Sequence, residues 1–139
     1  MNTRRFFLAF VAAFIFIFCW GWLYNGVLVA NAHGEVMNLF RPREETMGLF
    51  YWIVIGQAII ALAFVLIYAS GFAGGGIGAG IRLGIMLELL AIGARMMIYA
   101  VQPFTAKLIV LWSVGGLIEM IVTGAIVGGI YGSGKNQAE

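Results

Sequence analysis

Charge is what this sequence has least of. Only 10% of its 139 residues are charged, while 63% are hydrophobic. A soluble domain carries about 25% charged residues, so this chain does not have the means to cover a water-facing surface. Its net charge of +2 is small and scattered, which argues against nucleic acid as a partner. Cysteine is scarcer still. Cys19 stands alone, and that excludes an intrachain disulfide and a thiolate metal cluster. The residues before it (Phe16, Ile17, Phe18) are not the small ones that precede a lipidated cysteine. Histidine occurs once, at His33, so paired-histidine haem ligation has no second ligand, and no c-type haem motif is present. The spacing His33-x-Glu35 would hold a metal only with further ligands. No catalytic residue, cofactor or metal site is expected.

What the chain does have is long apolar runs. Four of them occupy residues 6–30, 49–69, 80–101 and 108–131. A run of 18 or more apolar residues reads as a membrane helix, because about 20 residues cross the hydrocarbon layer. The expected fold is an all-α membrane domain spanning residues 1–139, with four transmembrane helices arranged as two antiparallel hairpins. The longest polar stretch, Asn31 to Met47, leaves no room for a soluble domain. Ala30-Asn31-Ala32 resembles a signal-peptide cleavage site. The apolar region before it exceeds the usual 7–15 residues and contains Trp20, Trp22 and Tyr24, so the first run is expected to remain as a helix.

Basic residues set the expected orientation. Arg4, Arg5, Arg82 and Lys135 fall on one side of such a threading, and Arg41, Arg43 and Lys107 on the other. The two arginines ahead of the first helix place both termini in the cytoplasm. Tyr51, Trp52, Tyr99 and Trp112 then cluster at the outer ends, and Tyr68 and Tyr131 at the inner ends, where amphipathic rings favour the headgroup level. "WIVIGQAIIALAFVLIYASG" and "WSVGGLIEMIVTGAIVGGIYGSG" run alike from Trp to Tyr. Either the two hairpins are repeats about an axis along the membrane normal, or both segments share the polarity of any outside-to-inside helix. "GFAGGGIGAGIR" has the glycines of a phosphate-binding turn, but that turn needs a βαβ unit. Between membrane helices it reads as a flexible, close-packed linker.

Inside the third run, "MLELLAIGAR" places Glu88 and Arg95 in oil. A central charge costs roughly 2.5–3.5 kcal/mol on insertion scales, so each needs compensation. Seven residues apart, the two side chains share one helix face, about 20° apart and about 10 Å along the axis. Gly84, Ala91 and Gln102 lie on or near the same stripe. The axial gap argues against a pair within the helix. Arg95 is expected to pair instead with Glu119, at matched depth on the antiparallel fourth helix, with Gln57 nearby. Glu88, the carboxylate left over, is then expected to stay protonated and neutral. Gln57, Glu88, Arg95 and Glu119 form either a satisfied network that fixes register or docks a partner, or a polar path for an ion or proton; catalysis is the remaining possibility. Gly124, Gly128 and Gly132 form two overlapping GxxxG motifs, which serve close packing inside one bundle or self-association. Met86, Met96, Met97 and Met120 suit gap-filling. The "RPREE" run at Arg41 to Glu45 reads as a solvated, salt-bridged loop or a contact for an external partner.

Taken together, "WGWLYNGVL", "RPREETM", "GQAIIALAFVLIYASG", "YAVQPFTAKL" and "WSVGGLIEMIVTGAIVGGIYG" resemble a family of small bacterial four-helix integral membrane proteins of undefined function. That resemblance implies the fold and the bacterial inner membrane, and supplies neither an activity nor site residues. The expected role is a non-catalytic component acting through helix–helix association, as a homo-oligomer or a subunit of a larger membrane complex. The alternative is a small oligomeric transporter or channel using Glu88, Arg95 and Glu119.

Overall fold

The computed structural model describes residues 2–132, which contain helices and no strand. The helices are α1 (Thr3–Leu23), α2 (Ala30–Gly34), α3 (Arg43–Gly48), α4 (Phe50–Ile67), α5 (Gly76–Val101) and α6 (Ala106–Gly132). Helix α1 continues into a π-helical turn at Tyr24–Leu28, and α4 into another at Tyr68–Phe72. With those extensions, Thr3–Leu28, Phe50–Phe72, Gly76–Val101 and Ala106–Gly132 are each long and apolar enough to cross a membrane. Lys135, and the Ser133 and Gly134 that close the second Trp-to-Tyr segment, lie outside the described residues.

Polarity is arranged as a lipid solvent demands. Leu90 and Val101 are 73% and 77% exposed, while the carboxyl-bearing Glu88 is 2% exposed. Water would favour the reverse. Charge is inside and oil is outside.

Two sequence expectations need correction. Helix α5 begins at Gly76, four residues earlier than expected, so most of the glycine-rich stretch is helix and not linker. Glycine is a poor helix former, but here tertiary contact overrides propensity. A β-carbon built on Gly80 would fall inside the Gly124 carbonyl, and one on Gly128 inside that of Gly76. The connection shrinks to three residues, 73–75. Gly74 (φ 94°) and Gly76 (φ 64°) make the reversal in the left-handed region open to glycine. The polar stretch from Asn31 to Met47 is also more ordered than a loop. It holds α2, a 3₁₀ turn at Met37–Leu39 and most of α3, which starts directly after Pro42, the residue that supplies its N-cap.

Helices α5 and α6 make the most extensive contact in the molecule. Gly80 meets Gly124, Gly84 meets Met120 and Gly76 meets Gly128, so the two run antiparallel with their backbones touching. Such approach replaces the hydrophobic drive that lipid does not supply. Helix α1 packs on both α4 and α6. Its Ala9, Ala13 and Ile17 join Ala61, Phe64, Val65, Tyr68, Leu83, Met120 and Val127 in the main core. Helices α4 and α5 meet at the turn between them, where Tyr68 Oη donates to Gly76 O at 2.9 Å. Beyond that turn they separate. The inner tyrosines are therefore not a lipid belt: Tyr68 is fully buried and Tyr131 lies tilted against it, ring centroids 5.4 Å apart. Trp112 is likewise drawn inward, against His33.

Candidate functional site

The polar site grows from a run of two glycines on α6. Gly115 is covered by the ring of Tyr24, and Gly116 by the carboxylate of Glu88; a β-carbon at either would overlap its neighbour. One missing side chain seats α1 and the other seats α5. Trp20 Nε1 donates to Gly115 O at 3.1 Å and Tyr24 Oη to Leu111 O at 2.7 Å, which ties the end of α1 to the α6 backbone. The π-helical turn that begins at Tyr24 adds one residue to that turn of helix. It brings Asn25 to the same cavity wall as Trp20 and Tyr24.

The expected pairing of Arg95 with Glu119 is overturned. Arg95 Nη1 donates to Glu88 Oε1, forming an ion pair within α5. The axial rise of 10 Å had argued against it, but rise measures backbone and not reach. Helical side chains lean toward their own N-terminus, so Arg95 leans back along α5 toward Glu88. Glu88 waits in its slot at Gly116 and is not left without a cation. The carboxylate that forms no ion pair is Glu119, with Arg95 nearby but bonded elsewhere. Half-buried on α6, it makes no hydrogen bond or ion pair among the described residues. Gln57 also stands apart from the other three. Its Nε2 lies 2.9 Å from where Gly21 would carry a β-carbon, its Oε1 is buried without a partner, and it makes no hydrogen bond to Glu88, Arg95 or Glu119.

Arg95 and Glu119 separate two spaces. On one side is a cavity of about 100 Å³, lined also by Trp20, Tyr24, Asn25 and Trp112. Its walls are mostly polar, and its volume is enough for a few waters. On the other side is a crevice of about 310 Å³ between the separated α4 and α5. Ile60, Ala63, Phe64 and Ile67 form one wall; Leu87 and Ala91 form the other. Glu88, Arg95, Glu119 and Met120 complete the lining. The crevice is apolar at its walls and ionic at its floor.

The three GxxxG glycines face α5 of the same chain. Gly124 lies against Gly80 and Gly128 against Gly76, and a β-carbon on Gly132 would sit 3.1 Å from Gly76 Cα. Sequence reasoning overlooked the matching row on α5, Gly76, Gly80 and Gly84, although its four-residue spacing was as visible as the row on α6. The seats at Gly115 and Gly116 left no such signal, because a lone pair of glycines does not say what covers them.

His33 and Glu35 do not act together. Trp112 Nε1 donates to His33 Nε2 at 3.2 Å, and His33 Nδ1 lies 3.1 Å from Val29 O. An indole N–H only donates, so these partners assign Nε2 as the acceptor and Nδ1 as the protonated nitrogen. Glu35 pairs instead with Lys107, at 2.6 Å. Phe40 and Phe104 close around His33 and Trp112 to cap this end of the bundle. Nearby, Arg41 pairs with Glu45 in the first turn of α3, both exposed. Among the described residues no three His, Cys, Asp or Glu side chains gather as a metal site. No protein-family model, curated protein or solved structure matches the chain.

Proposed function

We propose that this protein is a non-catalytic, multi-pass component of a bacterial inner membrane, and that it receives a transmembrane helix of a partner in the crevice between α4 and α5. One observation carries this reading: the crevice is open, walled by apolar side chains, and floored by a carboxylate, Glu119, that makes no ion pair among the described residues, beside an arginine already bonded to Glu88. Acyl chains filling it would lie against Glu119, where a central charge costs roughly 2.5–3.5 kcal/mol. An apolar helix bringing a lysine, an arginine or another hydrogen-bond donor to that depth removes the cost. The glycine face of α6 is already occupied by α5, so association does not run through it. Arg4 and Arg5 ahead of α1 support a threading with both termini in the cytoplasm.

Mild-detergent extraction from native membranes tests the proposal. The chain should leave the membrane in fixed stoichiometry with a second membrane polypeptide, and Glu119→Leu should release that companion while the chain stays folded. A homo-oligomer dissolved by Glu119→Leu would make the occupant a second copy. A monomer indifferent to Glu119→Leu would refute the docking role.

A second reading rests on the polar cavity behind the crevice. Arg95 and Glu119 line both spaces, a geometry that also suits a proton or ion handed from one to the other. Reconstituted vesicles decide it. A proton or cation flux that Glu119→Gln abolishes with the fold intact would make transport the better description.

A further inference from the structure

A groove of about 300 Å³ lies at the opposite end of the bundle from the His33 cap, between the start of α1 and the end of α6. Asn2, Arg4, Arg5 and Leu8 line it from α1, and Ile130 from α6. Arg5 is held in place: its Nη1 donates to Tyr131 O at 3.2 Å, which leaves its other N–H groups unspent. Arg4 is exposed and makes no hydrogen bond or ion pair among the described residues. Asn2 caps α1 by accepting from Arg5 N at 3.2 Å, so its amide N–H₂ is also available. The 21-residue helix α1 starts here and adds the positive end of its dipole. No acidic residue among the described ones lines the groove. Two guanidinium groups thus share one recess with no counter-charge among the described residues, while Leu8 and Ile130 supply it with apolar wall.

We infer that this groove binds the phosphate of an anionic membrane phospholipid, with Arg4 and Arg5 on the phosphate oxygens and an acyl chain along Leu8 and Ile130. The guanidinium fork matches phosphate geometry and bonds it in charge-assisted fashion. Basic recesses between transmembrane helices suit anionic headgroups for the same reason. The apolar wall is what distinguishes a lipid from free phosphate, which would gain nothing from Leu8 or Ile130.

The test is native mass spectrometry of the full chain released from bilayers containing equal phosphatidylglycerol and phosphatidylcholine. Wild-type protein should retain phosphatidylglycerol in preference. Arg4→Gln, which removes no protein contact, should lower that retention about fivefold, as expected for about 1 kcal/mol per arginine near an anionic surface. Arg4→Lys should keep much of it. Arg82→Gln, a change of equal charge on the exposed face of α5 away from the groove, should leave retention unchanged. Equal losses from Arg4→Gln and Arg82→Gln would reduce the effect to general surface charge and overturn the site. So would equal retention of the two lipids by wild type. Millimolar inorganic phosphate should not displace the lipid; if it does so while binding protein in phosphatidylcholine alone, the ligand is the free anion and the lipid assignment fails.

Discussion

Arg95 shows how reach and depth compete at the scale of one residue. Its backbone sits two turns from Glu88, yet those two side chains form the ion pair while Glu119, though near, forms none among the described residues. Removing one member of a buried pair typically costs about 3–5 kcal/mol, because the survivor keeps its charge in a poor solvent. Arg95→Leu should therefore lower folded yield in detergent sharply. Arg95→Leu with Glu88→Leu should recover much of that loss, and Arg95→Leu with Glu119→Leu should recover distinctly less. Equal rescue by both doubles would show that Arg95 is shared, against the geometry. The trio stood out in the sequence, since ionisable groups in an apolar run need a reason. The partner choice was not legible. It depends on Gly116, whose missing side chain makes room for the Glu88 carboxylate, and no spacing rule relates residue 88 to residue 116.

Among the elements, α5 and α6 carry the clearest test of packing. Gly80 touches the Gly124 backbone, which does not yield as a flexible side chain would. Gly80→Ala should destabilise the fold by about 1–3 kcal/mol through overpacking. Gly93, in the same helix, has open space where its β-carbon would stand. Gly93→Ala should be neutral or stabilise by about 0.5–1 kcal/mol, since glycine is a poor residue inside a helix. Thermal melts in one detergent compare the two, and a Gly93→Ala loss as large as that of Gly80→Ala would refute the seam. The four helices themselves were plain from composition, because lipid imposes apolar runs of fixed length. Their edges were less plain. The start of α5 at Gly76 contradicts local propensity and follows only from the glycines of α6 that lie against it. The buried Tyr68 escaped notice for a related reason. A tyrosine at the end of an apolar run looks like an interface anchor until its hydroxyl is found on Gly76 O.

For the whole molecule, orientation and association are the open physical questions, and each has a direct readout. With Cys19→Ala as background, Asn38→Cys in the exposed 3₁₀ turn should react with an impermeant thiol reagent in intact cells. Ala73→Cys, in the exposed turn between α4 and α5, should be protected until the membrane is opened. The reverse pattern would invert the threading that Arg4 and Arg5 imply. Association turns on the crevice. A photo-crosslinking residue at Ala63 or Ala91 faces the space between α4 and α5, whereas one at Leu90 faces outward. In native membranes the first two should couple to an apolar peptide that carries a basic or hydrogen-bond-donating residue, and Glu119→Leu should abolish both adducts. Leu90 should couple to lipid alone. Lipid adducts from all three positions, unchanged by Glu119→Leu, would show that the crevice receives no helix.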